Sequence, residues 1–185
     1  MKFLLPVLLL LSFVFTGYSQ TKPAVDAAVS EFEVNGLKVI FKRRTSSPTV
    51  SAGLFVRGGV RNQTAANAGI ENMALSAAVE ASKKYPREVL RKELAKTGSV
   101  ISSGSTLDFS VVSLISTSQN FGRSWDVLTD LVLNPTFTAE DVDRVRNGVL
   151  AGLRNSSASP DSALGDLEEK VVYAGHPYSN SSSGT

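Results

Sequence analysis

Along SEFEVNGLKVIFKRR, beginning at Ser30, apolar residues fall on alternate positions: Phe32 and Val34 before Asn35-Gly36, then Leu37, Val39 and Phe41 after it. Period-two alternation on both sides of an Asn-Gly pair predicts a β-hairpin. TVSAGLFVRGG, residues 49–59, reads as a third strand closed by Gly58-Gly59. The period then changes. In GIENMALSAAVEAS, residues 69–82, Ile70, Met73, Ala74, Ala77 and Ala81 recur at helical spacing, and that stripe is expected to face the core. Leu75 and Val79 stand on the other side with Asn72 and Ser76, so the helix is expected to be enclosed on both faces.

Pro86 opens a second helix, PREVLRKELAKT, ended by Gly98 in the usual cap position. SVISSGST and DFSVVSLIST, rich in β-branched residues, predict two further strands around Leu107-Asp108. Three helical segments follow. The first runs from about residue 119 to Leu133 and stops at Asn134-Pro135; the second starts at a Thr138 cap with an acidic first turn and continues to about Arg154. The third follows Ser159-Pro160 and reaches Gly175. This order, ββ β α α β β α α α, predicts an α+β fold in which a mostly antiparallel sheet is covered on one side by helices. The closing SNSSSGT is loop-like, and no strand follows it, so the fold is expected to be incomplete at its C-terminus, as in a piece of a longer protein.

The chain has 185 residues, 42% of them hydrophobic, enough to bury a core. Its first residues, MKFLLPVLLLLSFVFTGYSQ, carry a basic Lys2, an apolar run from Phe3 to Phe15, and small residues at 17 and 19. That pattern predicts a secretory signal peptide over 1–19, a polar lead over 20–29 and a domain over 30–185, secreted across the inner membrane to a periplasmic or extracellular location. The run is shorter than the roughly 20 apolar residues of a spanning helix, so no stable membrane insertion is expected. A formal net charge of +2 gives no electrostatic reason to expect nucleic acid. With no cysteine, stability rests on packing rather than disulfides. Asn62, Asn155 and Asn180 head glycosylation acceptor triplets, which matter only in a eukaryotic secretory pathway.

Candidate chemistry is sparse. Zinc sites need three or four converging Cys, His or carboxylate ligands, and this chain offers one histidine, His176, in a GHPYS loop where a surface role is expected. No Gly-x-Ser-x-Gly elbow is present, and one loop histidine does not make a triad. Glu140-Asp141 and Glu168-Glu169 are adjacent on helices, about 100° apart in projection, and are expected to form solvated faces.

The series GLKVIF, SAGLFVRGGVRNQ and an alanine-rich helix opened by AGIEN resembles the insulinase and pitrilysin family of inverted-motif zinc peptidases. Mitochondrial processing peptidases and the core subunits of the bc1 complex belong to that family. The hairpin TGSVISSGSTLDFSVVSLIST, the segment LTDLVLNPTFTAEDVDRVRNGVLAGLR and GHPYS extend the resemblance over roughly residues 30–178. It implies a processing-peptidase/LuxS-like metallohydrolase fold. Active members carry His-x-x-Glu-His on the helix after the polar loop, two histidines a turn apart with a glutamate that activates water. The register set by Gly69 and ASKKYP puts Asn72 and Ser76 at the histidine positions and Leu75 at the base position; in GVLAGLR, Gly152 falls where the third ligand, a glutamate, would stand.

The resemblance therefore implies that this chain has no catalytic residue and no metal ligand of its own, and that zinc belongs to a partner subunit. The expected role is a non-catalytic half that closes the chamber and grips extended peptide beside a homologous zinc-bearing subunit or second half-domain. Two alternatives stand beside it: a zinc endopeptidase whose active site lies elsewhere in the polypeptide, and a structural or peptide-binding module with no protease partner.

Overall fold

The computed structural model describes residues 29–184, so the expected signal peptide and most of the polar lead lie outside the described residues. The chain divides into two compact units, one ending at Ser47 and the other beginning at Pro48. In the first, β1 (Val29–Val34) and β2 (Leu37–Lys42) pair antiparallel. Asn35 and Gly36 both have positive φ, 50° and 83°. That is the two-residue turn whose twist matches the strands it joins.

The second unit holds β3 (Thr49–Arg57), α1 (Ile70–Ala78), α2 (Arg87–Thr97), β4 (Val100–Ser105), β5 (Phe109–Thr117), α3 (Phe121–Leu133), α4 (Ala139–Ser157) and α5 (Pro160–Val172). The strands form an antiparallel sheet in the order β3-β5-β4. Burial alternates along β5, with Ser110, Val112, Leu114 and Ser116 buried on one face. Against that face lie Leu75 of α1, Val79 at its C-terminal cap, and Phe121, Leu128 and Val132 of α3, while Leu90 of α2 packs with Val127 and Leu131. Each such apolar side chain contributes about 1.5–3 kcal/mol on full burial. On the opposite face Phe55, Phe109 and Ile115 are exposed. The arrangement is the expected α+β fold with helices on one side of an antiparallel sheet.

Two expectations are corrected. The inward stripe of α1 is only partly the one its periodicity suggested: Ala77 and Ala81 are buried at 4% exposure each, but Ile70 is 56% exposed and Ala74 is exposed, while Leu75 and Val79 also pack on the core. Neighbouring apolar stripes on an alanine-rich helix are nearly equal in hydrophobicity, so the helix turns to bury Ala77 between them and leaves the start of the expected stripe, at Ile70 and Ala74, outside. Asp141 is also not on a solvated face, being 5% exposed. Its carboxylate accepts from the Thr138 hydroxyl (2.6 Å) and from Arg144 (2.8 Å), and it lies 3.7 Å from Arg87, which also pairs with Glu80. That network joins the end of α1 to the starts of α2 and α4. Glu168 and Glu169 are exposed, as expected.

Serine fills part of the interior. Ser99, Ser116 and Ser124 are buried and their hydroxyls bond one another at 2.6–3.0 Å. Each supplies both a donor and an acceptor, so the ring meets the requirement that buried polar groups be paired.

Candidate functional site

The positions that the resemblance singles out lie where α1 crosses α4 beside the sheet. Gly69, at φ 81°, caps α1 and presses against Gly184, whose backbone nitrogen would stand 2.5 Å from any added Cβ. Glu71 anchors the preceding loop: its Oε2 accepts from the Gly59 N–H and from the Ser110 hydroxyl, both at 2.7 Å. Gly59 in turn sits so close to the β4–β5 turn that a Cβ would meet the Thr106 carbonyl at 2.5 Å. Loop, turn and helix start are thus locked together, which fixes the rotation of α1.

With that rotation Asn72 faces α4. A cleft of about 180 Å³ is lined by Asn72, Val149, Gly152, Leu153, Ser156 and Ser183. Asn72 and Gly152, 80 positions apart in sequence, are brought to one site. One turn on, Ser76 points to β4 instead, its hydroxyl 3.5 Å from that of Ser103. Leu75 packs on the cluster around Val112, Leu114 and Leu128. The four positions share one neighbourhood, but only Asn72 and Gly152 share the cleft.

Their chemistry does not fit zinc. A carboxamide, a hydroxyl, an alkyl chain and a glycine supply no imidazole, thiolate or carboxylate. Among the described residues no group of three or more His, Cys, Asp or Glu could hold a metal ion. His176 is exposed and caps a short helical turn over Pro177–Ser179, its Nδ1 accepting the Tyr178 N–H at 3.3 Å. Tyr178 donates its hydroxyl to Asp108 at 2.5 Å, and the carboxylate beside it raises the phenol pKa.

The model of the family described as "Insulinase (Peptidase family M16)" matches residues 38–185. The chain belongs to that family. Among curated proteins it is similar to cytochrome b-c1 complex subunit 1, mitochondrial, of Rattus norvegicus, 23% identical over 163 residues, 88% of this chain and 33% of the relative. The Bos taurus protein of the same name is 23% identical over 168 residues, 90% of this chain and 35% of the relative. The chain therefore spans about a third of the length of these relatives. Among solved structures, a peptidase M16 inactive domain from Pseudomonas fluorescens superimposes with a TM-score of 0.74 at 24% identity, over 84% of this chain and 38% of that one. A protease from Helicobacter pylori gives a TM-score of 0.75 at 18% identity, over 85% of this chain and 38% of that one. These likenesses establish the M16 fold.

The curated kinship overturns one expectation. The relatives are mitochondrial proteins, not secreted or periplasmic ones, so the exported location inferred from the N-terminal run is corrected. An apolar run with one basic residue reports hydrophobicity, and hydrophobicity alone does not specify an address. No helix among the described residues is long and apolar enough to cross a membrane.

Sequence reasoning missed Val149, Leu153, Ser156 and Ser183 as neighbours of Asn72. The first three stand with Gly152 at i, i+3, i+4 and i+7, one face of α4. That spacing was available, but nothing local says which element the face meets.

Proposed function

We propose that this M16 domain is a non-catalytic half, which shapes a peptide-binding chamber beside a homologous zinc-bearing subunit or half-domain. The carrying observation is the cleft itself: α1 and α4 meet there, yet the side chains at the corresponding positions, Asn72 and Gly152, supply neither ligand nor base. The helices, the loop anchored by Glu71 and the sheet beneath surround these positions without supplying a zinc donor, which supports a role through shape. Cytochrome b-c1 complex subunit 1 is itself named as a component of a larger assembly, and the Pseudomonas fluorescens domain is named inactive. The first supports a role through association and the second a non-catalytic one. The three-stranded sheet ends in β3 and β4, and an edge strand can pair with an extended peptide through backbone groups without special side chains.

The test is to purify the chain, measure bound zinc by elemental analysis, and assay cleavage of unstructured peptides alone and with a zinc-bearing M16 subunit from the same source. The expected result is zinc well below one equivalent, no cleavage by the chain alone, and a stable complex whose cleavage exceeds that of the zinc subunit alone. Stoichiometric zinc in the isolated chain would overturn the reading, and so would failure to associate with or stimulate the zinc subunit.

A further inference from the structure

The cleft between α1 and α4 is neutral and small. None of its lining side chains is charged. It offers no cation for a phosphate or carboxylate and no anion for a basic group. Its volume of about 180 Å³ falls below the roughly 300–1,000 Å³ of drug-sized ligand pockets, so it suits a segment rather than a whole cofactor. Val149 and Leu153 give apolar contact, while Ser156 and Ser183 add hydroxyls near its walls.

Two features select the ligand. The Asn72 side chain is half-buried, and among the described residues it makes no hydrogen bond. A primary carboxamide offers an acceptor and donors side by side, complementary to the C=O and N–H of a peptide chain. Facing it, Gly152 sits in the interior of the 19-residue helix α4, and beyond the helix's own adjoining backbone nothing lies within 4 Å of where its Cβ would be. Glycine costs about 1 kcal/mol relative to alanine inside a helix, and nothing packed on it here forbids alanine. What its absent side chain does provide is a flat floor, on which another backbone can approach α4 closely.

We infer that this cleft binds the uncharged main-chain amide of an extended peptide, with the Asn72 carboxamide pairing its N–H and C=O over the floor left by Gly152. The inference rests on the non-catalytic reading above: where an active relative would polarise a peptide group with metal, this domain holds it with an amide. Asn72 is then a binding and specificity residue for neutral backbone, indifferent to the peptide's charge.

The test titrates the ¹⁵N-labelled full chain with acetyl-tetraalanine-amide and with a depsipeptide of the same sequence in which one internal N–H is replaced by an ester oxygen. Expected shifts map to Asn72, residues 149–156 and Ser183, and the best-placed ester analogue binds several-fold more weakly. Asn72→Leu should weaken peptide binding about tenfold, which corresponds to about 1.4 kcal/mol. Gly152→Leu, placed where open space surrounds the Cβ, should abolish binding while leaving the melting temperature unchanged or higher; it keeps the test valid should Asn72→Leu not fold. Equal affinity for every ester analogue, shifts confined to other surfaces, or full binding by folded Gly152→Leu would each overturn the inference. Zinc in the unaltered chain would instead sink the non-catalytic reading, a readout independent of the peptide titration.

Discussion

Glu71 stands one position before Asn72, which the resemblance matches to a ligand position, yet its carboxylate holds Gly59 N–H and Ser110 Oγ. It is a positioning group, since it ties the loop before α1 to β5. Glu71→Ala leaves the Gly59 N–H unpaired, while the Ser110 hydroxyl retains Ser105 as an acceptor at 3.0 Å, and is expected to destabilise the fold by about 1–3 kcal/mol, with Glu71→Gln costing less because it keeps an acceptor. Chemical denaturation measures the difference, and a neutral Glu71→Ala would show that the loop does not depend on this contact. Serine illustrates what a single residue type does not announce. Ser99, Ser116 and Ser124 look like surface residues in the sequence and are buried because each finds the other two. The absence of histidine at 72 and 76 is different in kind, because residue identity alone carries it.

At the scale of elements, most segments were legible because their signals are local. Asn35-Gly36 fixes a turn, Gly98 in the left-handed conformation ends α2, and the Thr138 hydroxyl accepts the Asp141 N–H to start α4. Which face of α1 turns inward was not local, and the periodic stripe chose wrongly at Ile70 and Ala74. Helices also differ in how much they rely on this chain's core. Leu131 in α3 is fully buried whereas Leu164 in α5 is 65% exposed, and no residue of α5 is buried. Leu131→Ala should cost about 2–5 kcal/mol and Leu164→Ala no more than about 0.5 kcal/mol in the isolated chain. Similar losses from both would mean that α5 contributes to the core after all.

Two carboxylates staple elements together and make stability depend on acid. Asp130 accepts from the Ser82 hydroxyl, the Lys84 N–H and the Asn134 amide, and these bonds, the Ser82 hydroxyl foremost, hold its pKa below the ordinary carboxylate range. The Thr138 hydroxyl and then Arg144 and Arg87 do the same for Asp141. A depressed folded pKa contributes stability that is complete above the unfolded value and is lost as pH falls through the folded one. The contribution of these two groups to the melting temperature should therefore be constant from pH 7 to about 5 and decline below that. Asp130→Asn with Asp141→Asn is expected to lower the melting temperature at pH 7 and to flatten the acid limb. An acid limb as steep as in the unaltered chain would assign the acid loss to other groups.

For the whole molecule, the register of the resemblance is itself testable, because Asn72, Ser76 and Gly152 come from two helices that only the fold brings together. Asn72→His, Ser76→His and Gly152→Glu combined should create binding of one zinc ion, read by elemental analysis and by a rise in melting temperature with added zinc. Leu75 is left in place so that the core cluster around Leu114 survives. A folded triple variant that takes up no zinc would show that these positions do not correspond to the family's ligands. By itself the sequence determined the hairpin, the helix ends, the order of elements and the absence of any histidine before His176, because spacing, caps and residue identity are written along the chain. Only the tertiary structure decided that α1 turns Leu75 and Val79 to the core, that serines fill it, and that Asn72 meets Gly152 across an uncharged cleft. Those outcomes depend on contacts between residues up to 80 positions apart, settled by competition among surfaces of similar hydrophobicity, which no local pattern records.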